Sequence, residues 1–370
     1  MLALDGVRGL AVLLVLAHDY NVISGPLSLP GKVLDHVMDA GWLGVQVFFV
    51  LSGFLITGIL LEARNDERYY GPFMARRVLR IFPLYYAVLM AAFVVAPLVS
   101  GHALEGHEHQ VWLWTYTSNW AEPSGRGVPL FPHFWSLAIE EQFYLAWPFL
   151  VRVLSPRRLL ELCIALVVVA LGSRIALRAA GLGSLGAYMF TICRIDALAV
   201  GAIAAILFRR PRFVTALLER RRSVRWLAAG GLLVTIVLTR GAPRSGLLTQ
   251  TFGYAAFAVL FGALVLDAAL TSNDEPDLLG RILLLSPLRL AGKYSYAMYI
   301  FHTPLHLLVG LPVLARLTAG RPVGMMVGIV YFAIATLVTF LAALLSFHVL
   351  EKHFLKLKRL IQTPHRGRGA

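Results

Sequence analysis

The first apolar stretch of this chain carries an arginine, Arg8, near its start and a histidine, His18, ten positions further inside. Ionisable side chains are costly to place within a membrane span, so such residues are candidate functional sites by default. A histidine here could serve as a general base, because imidazole accepts a proton near neutral pH. We therefore predict that both residues belong to a functional site.

Two adjacent carboxylates, Glu140 and Glu141, lie in the fourth apolar run among Phe, Tyr and Trp side chains. Neighbouring helical residues point about 100° apart, so the two carboxylates need not share a role. One of them could orient a histidine or act as an acid or base. The alternative is a buried ion pair with an arginine. We favour a functional role for Glu140 and a packing role for Glu141.

Arginines cluster before the third apolar run, where Arg77 and Arg80 are three positions apart and share one helix face. Two guanidinium groups on one face suit bidentate binding of phosphate. The alternative is a cytoplasmic anchor that contacts lipid headgroups. The sequence alone leaves both interpretations open.

Several other polar residues within apolar runs are assigned structural roles. Ser52 precedes a glycine and predicts close helix packing, since a serine nucleophile needs a neighbouring base that the sequence does not show. Arg194 and Asp196, in the middle of the sixth run, do not face each other on a helix and should form ion pairs with partners elsewhere. His302 and His306 lack carboxylate neighbours in the sequence, which favours packing or pore lining over metal binding. No metal site is predicted.

Composition indicates a membrane protein, with 58% hydrophobic and 15% charged residues, where a soluble domain has roughly a quarter charged residues. Apolar runs of about 20 residues, enough to cross the hydrocarbon as a helix, recur along the chain. Spanning segments must satisfy their own backbone hydrogen bonds, so helices are expected. The sequence predicts an all-α, polytopic transmembrane helix bundle with about ten spans, near residues 6–22, 41–61, 82–99, 134–153, 158–177, 185–208, 226–240, 250–270, 290–311 and 323–349.

The basic residues lie between apolar runs, so the net charge of +14 does not indicate nucleic-acid binding. Arg and Lys concentrate in alternate loops, and the positive-inside rule then places both termini in the cytoplasm. The first run carries charges at both ends and no evident cleavage site, so it is not expected to be a cleaved signal peptide. Two cysteines argue against a disulfide framework. We expect one membrane domain over 1–361 and a disordered cytoplasmic tail over 362–370.

Taken together, these motifs resemble the acyltransferase-3 family of integral membrane acyltransferases, of the kind that act on O-antigen, peptidoglycan or macrolides. The matching stretches occur in the family's order and cover essentially the whole chain. Each stretch is weak alone, but the set is specific. They are Leu4–Gly9, Phe48–Leu55, Arg76–Pro83, Trp135–Pro148, Arg194–Asp196, Tyr294–His302 and the pair Glu351-Lys352.

The resemblance implies transfer of an acyl group, often acetyl, from cytoplasmic acyl-CoA to a hydroxyl of a carbohydrate or another acceptor. It further implies a multi-pass protein of the bacterial inner membrane with no tightly bound cofactor. It implies that Arg8, His18, Arg77 and Arg80 matter for activity. We assign a catalytic role to His18 and Glu140, and binding of the CoA donor to Arg8, Arg76, Arg77 and Arg80. The matching blocks also suggest substrate-binding residues, namely Trp135, Ser136, Tyr144, Tyr299 and His302.

One spacing departs from the family. Ten residues usually separate the arginine and the histidine of the first span, whereas nine separate Arg8 and His18. An offset of eleven positions leaves two helical side chains within about 20° of each other, and an offset of ten leaves them about 80° apart. The pair is therefore expected to face a shared cavity less directly, or the helix to be locally irregular.

The predicted topology suggests a mechanism. Arg8, Arg77 and Arg80 would lie on the cytoplasmic side with the CoA phosphates, and His18 about 15 Å along the first helix toward the outside. We hypothesise that His18 is the general base on the acceptor hydroxyl and that Glu140 orients it, while the thioester arm crosses the gap. A covalent acyl-histidine relay is left open. So is the acceptor, which could be a lipid-linked sugar, a polysaccharide or a small hydroxylated metabolite.

The rival function is a transporter or exporter, in which Arg8, His18, Arg194 and Asp196 would relay ions or protons. Against it, the sequence shows no broken-helix pair in matching halves of an inverted repeat. Dependence on a CoA thioester separates the two classes, because a transporter needs none.

Overall fold

The computed structural model describes residues 1–361, which contain helices and no β-strand. The tail predicted over 362–370 lies outside the described residues. The first ten α-helices are α1 (Leu2–Asp19), α2 (Leu29–Asp39), α3 (Leu43–Glu62), α4 (Tyr70–Met90), α5 (Ala96–Ser100), α6 (Val111–Trp114), α7 (Ser118–Ala121), α8 (Phe134–Val153), α9 (Pro156–Ala179) and α10 (Ser184–Met189). The others are α11 (Thr191–Phe208), α12 (Pro211–Glu219), α13 (Arg221–Leu238), α14 (Tyr254–Ala269), α15 (Leu278–Leu283), α16 (Ser286–Leu305), α17 (Leu311–Thr318), α18 (Met325–Ser346) and α19 (Lys352–Leu357).

Within residues 1–361, seven helical segments are long and apolar enough to cross a membrane. They are Leu29–Glu62, Tyr70–Ser100, Pro156–Ala179, Ser184–Phe208, Thr249–Ala269, Ser286–Thr318 and Met325–Leu360. Each overlaps a predicted span. The three other predicted spans are also helical, as α1, α8 and α13, but these helices carry several charged residues. The all-α multi-pass architecture is thus confirmed, while the count of ten stays a prediction.

The helices form two compact units. Unit 1 consists of Met1–Phe48 and Ala216–Leu344, and unit 2 consists of Phe49–Thr215 and the described residues from Leu345 onward. Unit 1 therefore contains α1, α2, α13, α14, α15, α16 and α17, and unit 2 contains α4 to α11 and α19.

In unit 1, α1 lies directly against the backbone of α15 and α16. A Cβ atom at Gly9 would overlap the carbonyl oxygen of Leu288, and one at Gly6 would overlap the backbone of α15. Further along, the Tyr20 hydroxyl donates a hydrogen bond to the His302 carbonyl oxygen over 3.3 Å. Helices α1 and α16 are therefore parallel neighbours, and His302 lies at the same end of the pair as the last turn of α1.

In unit 2, α3 and α11 make a similar close contact. A Cβ atom at Gly53 would overlap the carbonyl oxygen of Leu198, and one at Gly201 would overlap that of Val50. The close helix packing predicted beside Ser52 is confirmed, because no residue larger than glycine fits at either position without moving the backbone.

The sixth predicted span is interrupted. Phe190 is extended (φ −67°, ψ 135°) and separates α10 from α11, where its ring stacks on Trp120 with centroids 4.9 Å apart. The side-chain amide of Asn119 donates hydrogen bonds to the Met189 carbonyl and the Thr191 hydroxyl. The stretch around Arg194 therefore lies in the first turns of α11. The span itself is present as predicted, since Ser184–Phe208 is long and apolar enough to cross a membrane and Arg194 lies in its middle. The break within it was not predicted, because hydropathy does not register a break that side chains satisfy.

Candidate functional site

Arg8 lies one turn into α1, on the part of the helix that packs most closely against its neighbours. Its guanidinium forms an ion pair with Asp5 over 3.1 Å, and both side chains are partly exposed. The glycines on either side, Gly6 and Gly9, make the close contacts with α15 and α16 described above. The sequence Asp-Gly-x-Arg-Gly thus combines two glycines that allow close backbone contact with a pair of opposite charges. Arg8 is thereby held near the start of α16.

His18 lies in the last turn of α1, and its imidazole is oriented by a backbone group. Its Nδ1 is 2.8 Å from the carbonyl oxygen of Asp39. A carbonyl oxygen can only accept, so the neutral ring must carry its proton on Nδ1, and Nε2 keeps a lone pair. This tautomer is the one that a general base needs. Because α1 is continuous from Leu2 to Asp19, Arg8 and His18 point about 80° apart around the helix.

Two glycines bring the Asp39 carbonyl to His18. The turn Ala40–Trp42 and the start of α3 cross α1 so closely that a Cβ atom at Gly41 would overlap the Leu14 carbonyl oxygen. It would also lie 2.9 Å from the backbone nitrogen of His18. Gly44 makes the same kind of contact with the Ala11 carbonyl. The orientation of His18 therefore depends on this crossing.

Gly41→Ala is expected to displace the crossing, to cost about 1–3 kcal/mol of stability through overpacking and to lower activity by misplacing the base. Thermal unfolding in detergent, together with turnover, measures both effects. The matched control is Gly230→Ala in α13 of the same unit, where an added Cβ meets nothing within 4 Å. There the substitution should be neutral or stabilising by up to about 1 kcal/mol. Equal behaviour of the two variants would contradict the role given to Gly41.

Glu140 lies in a hydrogen-bonded cluster within unit 2. The Ser52 hydroxyl donates a hydrogen bond to Glu140 Oε1, and the Tyr144 hydroxyl donates to Ser52 Oγ over 3.1 Å. The guanidinium carbon of Arg77 lies 4.8 Å from the centre of the Tyr144 ring, within the range of a cation–π interaction. The structure therefore brings together three sequence-predicted residues, Arg77, Glu140 and Tyr144, and adds Ser52.

Ser52 is the member of this cluster that the sequence analysis gave only a packing role. The signal was present, because a serine in an apolar helix must find an acceptor. That acceptor, Glu140, is 88 positions away along the chain, so only the fold could identify it. Glu140 is also the carboxylate base whose absence from the sequence neighbourhood argued against a reactive Ser52.

The other predicted residues at the start of α8, Trp135 and Ser136, contact neighbouring groups of the protein. The Ser136 hydroxyl donates to the carbonyl oxygen of His133 over 3.1 Å, within the first turn of the helix. The Trp135 ring centre lies 5.8 Å from the guanidinium carbon of Arg194. Rings of Phe49 and Tyr188 lie 5.6 and 5.2 Å from the same carbon. Trp135 therefore forms part of an aromatic cage around a buried cation.

Asp196 pairs with Arg174, from α9, across the α9–α11 contact. Arg174 Nη1 and Asp196 Oδ2 are 2.8 Å apart, and neither side chain has any solvent exposure. Arg174 also donates a hydrogen bond to the carbonyl oxygen of Cys193. The expected ion pair with a distant partner is thus present for Asp196. A fully buried pair of this kind serves packing more readily than it serves an ion relay.

The arginines of α4 face the C-terminal helical segment. Helix α4 packs against Phe347–Glu351, α19 and the turn Lys358–Leu360. Arg76 Nη2 donates to the carbonyl oxygen of Ile361 over 3.3 Å. Lys358 is close enough to Arg76, Arg77 and Arg80 to interact with all three electrostatically. The structure thus adds Lys358 to the predicted phosphate-binding arginines.

His302 and Tyr299 lie in unit 1 near the end of α1. His302 Nε2 is 2.7 Å from the Asp19 carboxylate, and Nδ1 is 2.6 Å from the Tyr299 carbonyl oxygen. The sequence shows no carboxylate beside His302, whereas the fold brings Asp19 to it from 283 positions away. Both ring nitrogens have partners within the protein, which distinguishes His302 from His18. In the described part of the chain, no group of three or more His, Cys, Asp or Glu side chains could hold a metal ion.

The chain is similar to known proteins over most of its length. Residues 1–348 match the acyltransferase domain family. The chain is 28% identical over 321 residues to the peptidoglycan O-acetyltransferase OatA of Listeria monocytogenes, an alignment that covers 82% of this chain and 49% of that protein. It is 25% identical over 386 positions to the O-acetyltransferase OatA of Staphylococcus aureus, covering 99% of this chain and 57% of that protein. The chain spans about half the length of the curated relatives it matches.

No solved structure matches the chain. The family match nevertheless covers almost the whole length, and the relatives align over most of the same region. Seven apolar helices of spanning length agree with it. This multi-pass membrane protein belongs to the acyltransferase-3 family.

Proposed function

We propose that this protein is a membrane O-acyltransferase that moves an acyl group, acetyl in the first instance, from acyl-CoA to a hydroxyl group. The observation that carries the proposal is the orientation of His18, whose Nδ1 is held by the Asp39 carbonyl so that Nε2 can accept a proton. Family membership supports the reaction class.

We further propose a carbohydrate as the acceptor. The relatives from Listeria monocytogenes and Staphylococcus aureus bear the names of O-acetyltransferases, the former of peptidoglycan. A glycan offers hydroxyl groups of the kind that a histidine base can activate. A lipid-linked sugar, a polysaccharide and a small hydroxylated metabolite all fit this chemistry.

In the proposed reaction, His18 Nε2 takes the proton of the acceptor hydroxyl as its oxygen attacks the thioester carbonyl carbon. The new C–O bond forms, the C–S bond breaks, and the CoA thiolate leaves and receives the proton. We propose Glu140, in unit 2, as a second catalytic residue. The hydrogen bond from Ser52 fixes the orientation of that carboxylate.

In unit 2, we assign binding of the acyl-CoA phosphates to Arg76, Arg77 and Arg80 together with Lys358. Arg8, in unit 1, stays a predicted donor-binding residue. The assignment to α4 is supported by the presence of three guanidinium groups within electrostatic reach of the Lys358 ammonium group. Clustered like charges repel, and a polyanionic ligand relieves that repulsion. Guanidinium groups also bind phosphate in a bidentate manner.

Lys358→Ala should raise the KM for acetyl-CoA roughly tenfold, as expected for the loss of one charge-assisted contact, and leave the KM for the acceptor unchanged. The ratio of the two KM values, measured at several salt concentrations, separates donor binding from a general defect. Lys356→Ala is the matched control, because Lys356 lies in the same segment and is exposed. A donor KM that is the same in both variants would remove Lys358 from the site.

The deciding experiment for the proposed function is transfer of radiolabel from acetyl-CoA to a pool of hydroxylated acceptors by the purified protein. Labelled ester product is expected, and its release by mild alkali identifies an O-acyl bond. Absence of both label transfer and acetyl-CoA binding would instead favour the transporter. Asp196 forms a buried ion pair with Arg174, and this contact does not favour an ion relay.

A further inference from the structure

A cavity of about 390 Å³ lies in unit 1 between the segment Leu305–Thr318 and α18, with Tyr20 at one end. Its volume is within the range of small-molecule sites. Its walls are almost entirely aliphatic, and several of the lining side chains, including Val313, Val330 and Ile334, are also exposed at the surface of the unit. Both wall segments belong to helices that are long and apolar enough to cross a membrane. The opening therefore faces hydrocarbon rather than water.

The helix that forms one wall of the cavity is irregular. A π-helical turn, His306–Gly310, joins α16 to α17, and prolines at 304 and 312 flank it. A Cβ atom at Gly310 would overlap the hydroxyl oxygen of Tyr331, so glycine leaves room for that phenol. Single π-turns within helices occur frequently at functional sites.

The end of the cavity near Tyr20 is polar. His306 Nδ1 and the Tyr331 hydroxyl are 2.6 Å apart and share one hydrogen bond, and the Tyr20 ring lies 5.3 Å from the His306 ring. A neutral histidine and a tyrosine together carry one N–H and one O–H. The shared bond uses one of these, so in either tautomer the pair keeps one donor for a ligand. The cavity thus offers an apolar trough that ends in a hydrogen-bond donor.

This polar end adjoins the helix end that carries His18. Tyr20 is two residues beyond His18, and the intervening Asp19 contacts His302, one turn before His306. A molecule with its hydrocarbon chain in the trough would have its head at the last turn of α1. His18 and Tyr20 are two positions apart and leave α1 on different sides. A head group that bears hydroxyls would therefore have to bend around this last turn to reach the proposed base.

We infer that the cavity binds the single hydrocarbon chain of a lipid-linked acceptor whose hydroxylated head is presented to His18. The inference rests on the proposed function and narrows its acceptor class to an amphiphile. The apolar walls can contact the hydrocarbon chain, and the His306–Tyr331 pair can donate a hydrogen bond to the first polar group of the head. The polar end of the cavity lies at the last turn of α1, the helix that carries His18. A two-chain phospholipid fits less well, because the cavity has a volume of only about 390 Å³ and one polar pair.

Binding can be tested without turnover. The probe is an alkyl glycoside with a diazirine in its chain, added to the protein in nanodiscs free of glycoside detergent. Irradiation should label peptides within 305–338, and an excess of unlabelled alkyl glycoside should suppress the labelling, whereas the free sugar should not. Equal labelling by a phospholipid that carries the same diazirine would show a general lipid contact and overturn the inference.

Substitution of one cavity residue provides the kinetic test. Ala335→Trp should fill the trough, abolish labelling and raise the KM for the alkyl glycoside at least about tenfold, while the KM for the free sugar stays unchanged. Ala333→Trp is the control, because Ala333 is exposed on the same helix and is not part of the cavity lining. In the native protein, each added methylene should lower the KM by up to about fourfold, from ~0.8 kcal/mol per buried methylene.

The two proposals fail in different ways. Acetylation of the glycoside without labelling of the cavity, or a KM that is independent of chain length, would overturn the inference and leave the acyltransferase intact. Labelling of the cavity without acetylation of any acceptor would instead count against the proposed function and support the cavity as an amphiphile site.

Discussion

His18→Ala is expected to lower the turnover number for acyl transfer by about 10²–10⁴-fold, the usual contribution of a general base. The ring is held by one backbone bond from Nδ1 to the Asp39 carbonyl, so its removal takes away Nε2 and disturbs little else. Binding of acetyl-CoA should persist, since the phosphate-binding residues we propose include four side chains on other helical segments. Radiolabel transfer measures turnover, and equilibrium binding of labelled acetyl-CoA measures the donor site.

Two companion variants separate chemistry from folding. In His18→Asn, the side-chain amide can replace the Nδ1 donor to the Asp39 carbonyl but cannot accept the acceptor proton, so activity should be as low as in the alanine variant. In His36→Ala, a histidine with the same kind of bond is removed, since His36 Nδ1 is 2.8 Å from the Lys32 carbonyl oxygen, and activity should be unchanged. Full turnover in a folded His18→Asn protein would rule out His18 as the base.

The helical class of the protein was predictable because it depends on a property that is local in sequence. Backbone groups in hydrocarbon must bond within their own segment, so a long apolar run is sufficient evidence for a helix. This dependence on the local sequence also explains which predicted membrane spans stay predictions. Helices α1, α8 and α13 mix apolar residues with charges, and composition alone does not establish whether such a helix spans.

The partners of the buried polar groups were not predictable, because they are distant along the chain. Ser52 bonds to Glu140, 88 positions away, and His302 contacts Asp19, 283 positions away. A polar side chain in an apolar run shows that an acceptor or donor must exist, but not which one. The fold supplies that information, and with it the clusters from which a reaction can be argued.

The break at Phe190 is a third case in which a hydrogen-bond partner that is distant along the chain could not be predicted. Hydropathy correctly predicts a span there but not the break, where the side-chain amide of Asn119 donates to the Met189 carbonyl. The consequence is specific, since the break puts Arg194 and Asp196 in the first turns of α11, where they meet an aromatic cage and Arg174 respectively.

Arg174→Met is expected to destabilise the protein by about 3–5 kcal/mol, because it leaves the Asp196 carboxylate buried without its partner. Both side chains have no solvent exposure, and their charged atoms are 2.8 Å apart. Methionine keeps much of the apolar stem of arginine, so the expected loss comes from the uncompensated charge rather than from a cavity. Thermal unfolding in detergent measures the effect, with the loss of the monodisperse species as the signal.

The matched control lies on the same helix. Arg157 of α9 also pairs with a carboxylate, Glu161, over 3.1 Å, but these side chains are 90% and 59% exposed. Exposed pairs at this spacing contribute only about 0.3–0.5 kcal/mol, so Arg157→Met should hardly change the unfolding temperature. The two substitutions are chemically identical and differ only in the burial of the ion pair. If Arg174→Met were as mild as Arg157→Met, the Arg174–Asp196 pair could not be a structural element of the α9–α11 contact, and Asp196 would again be a candidate for the ion relay.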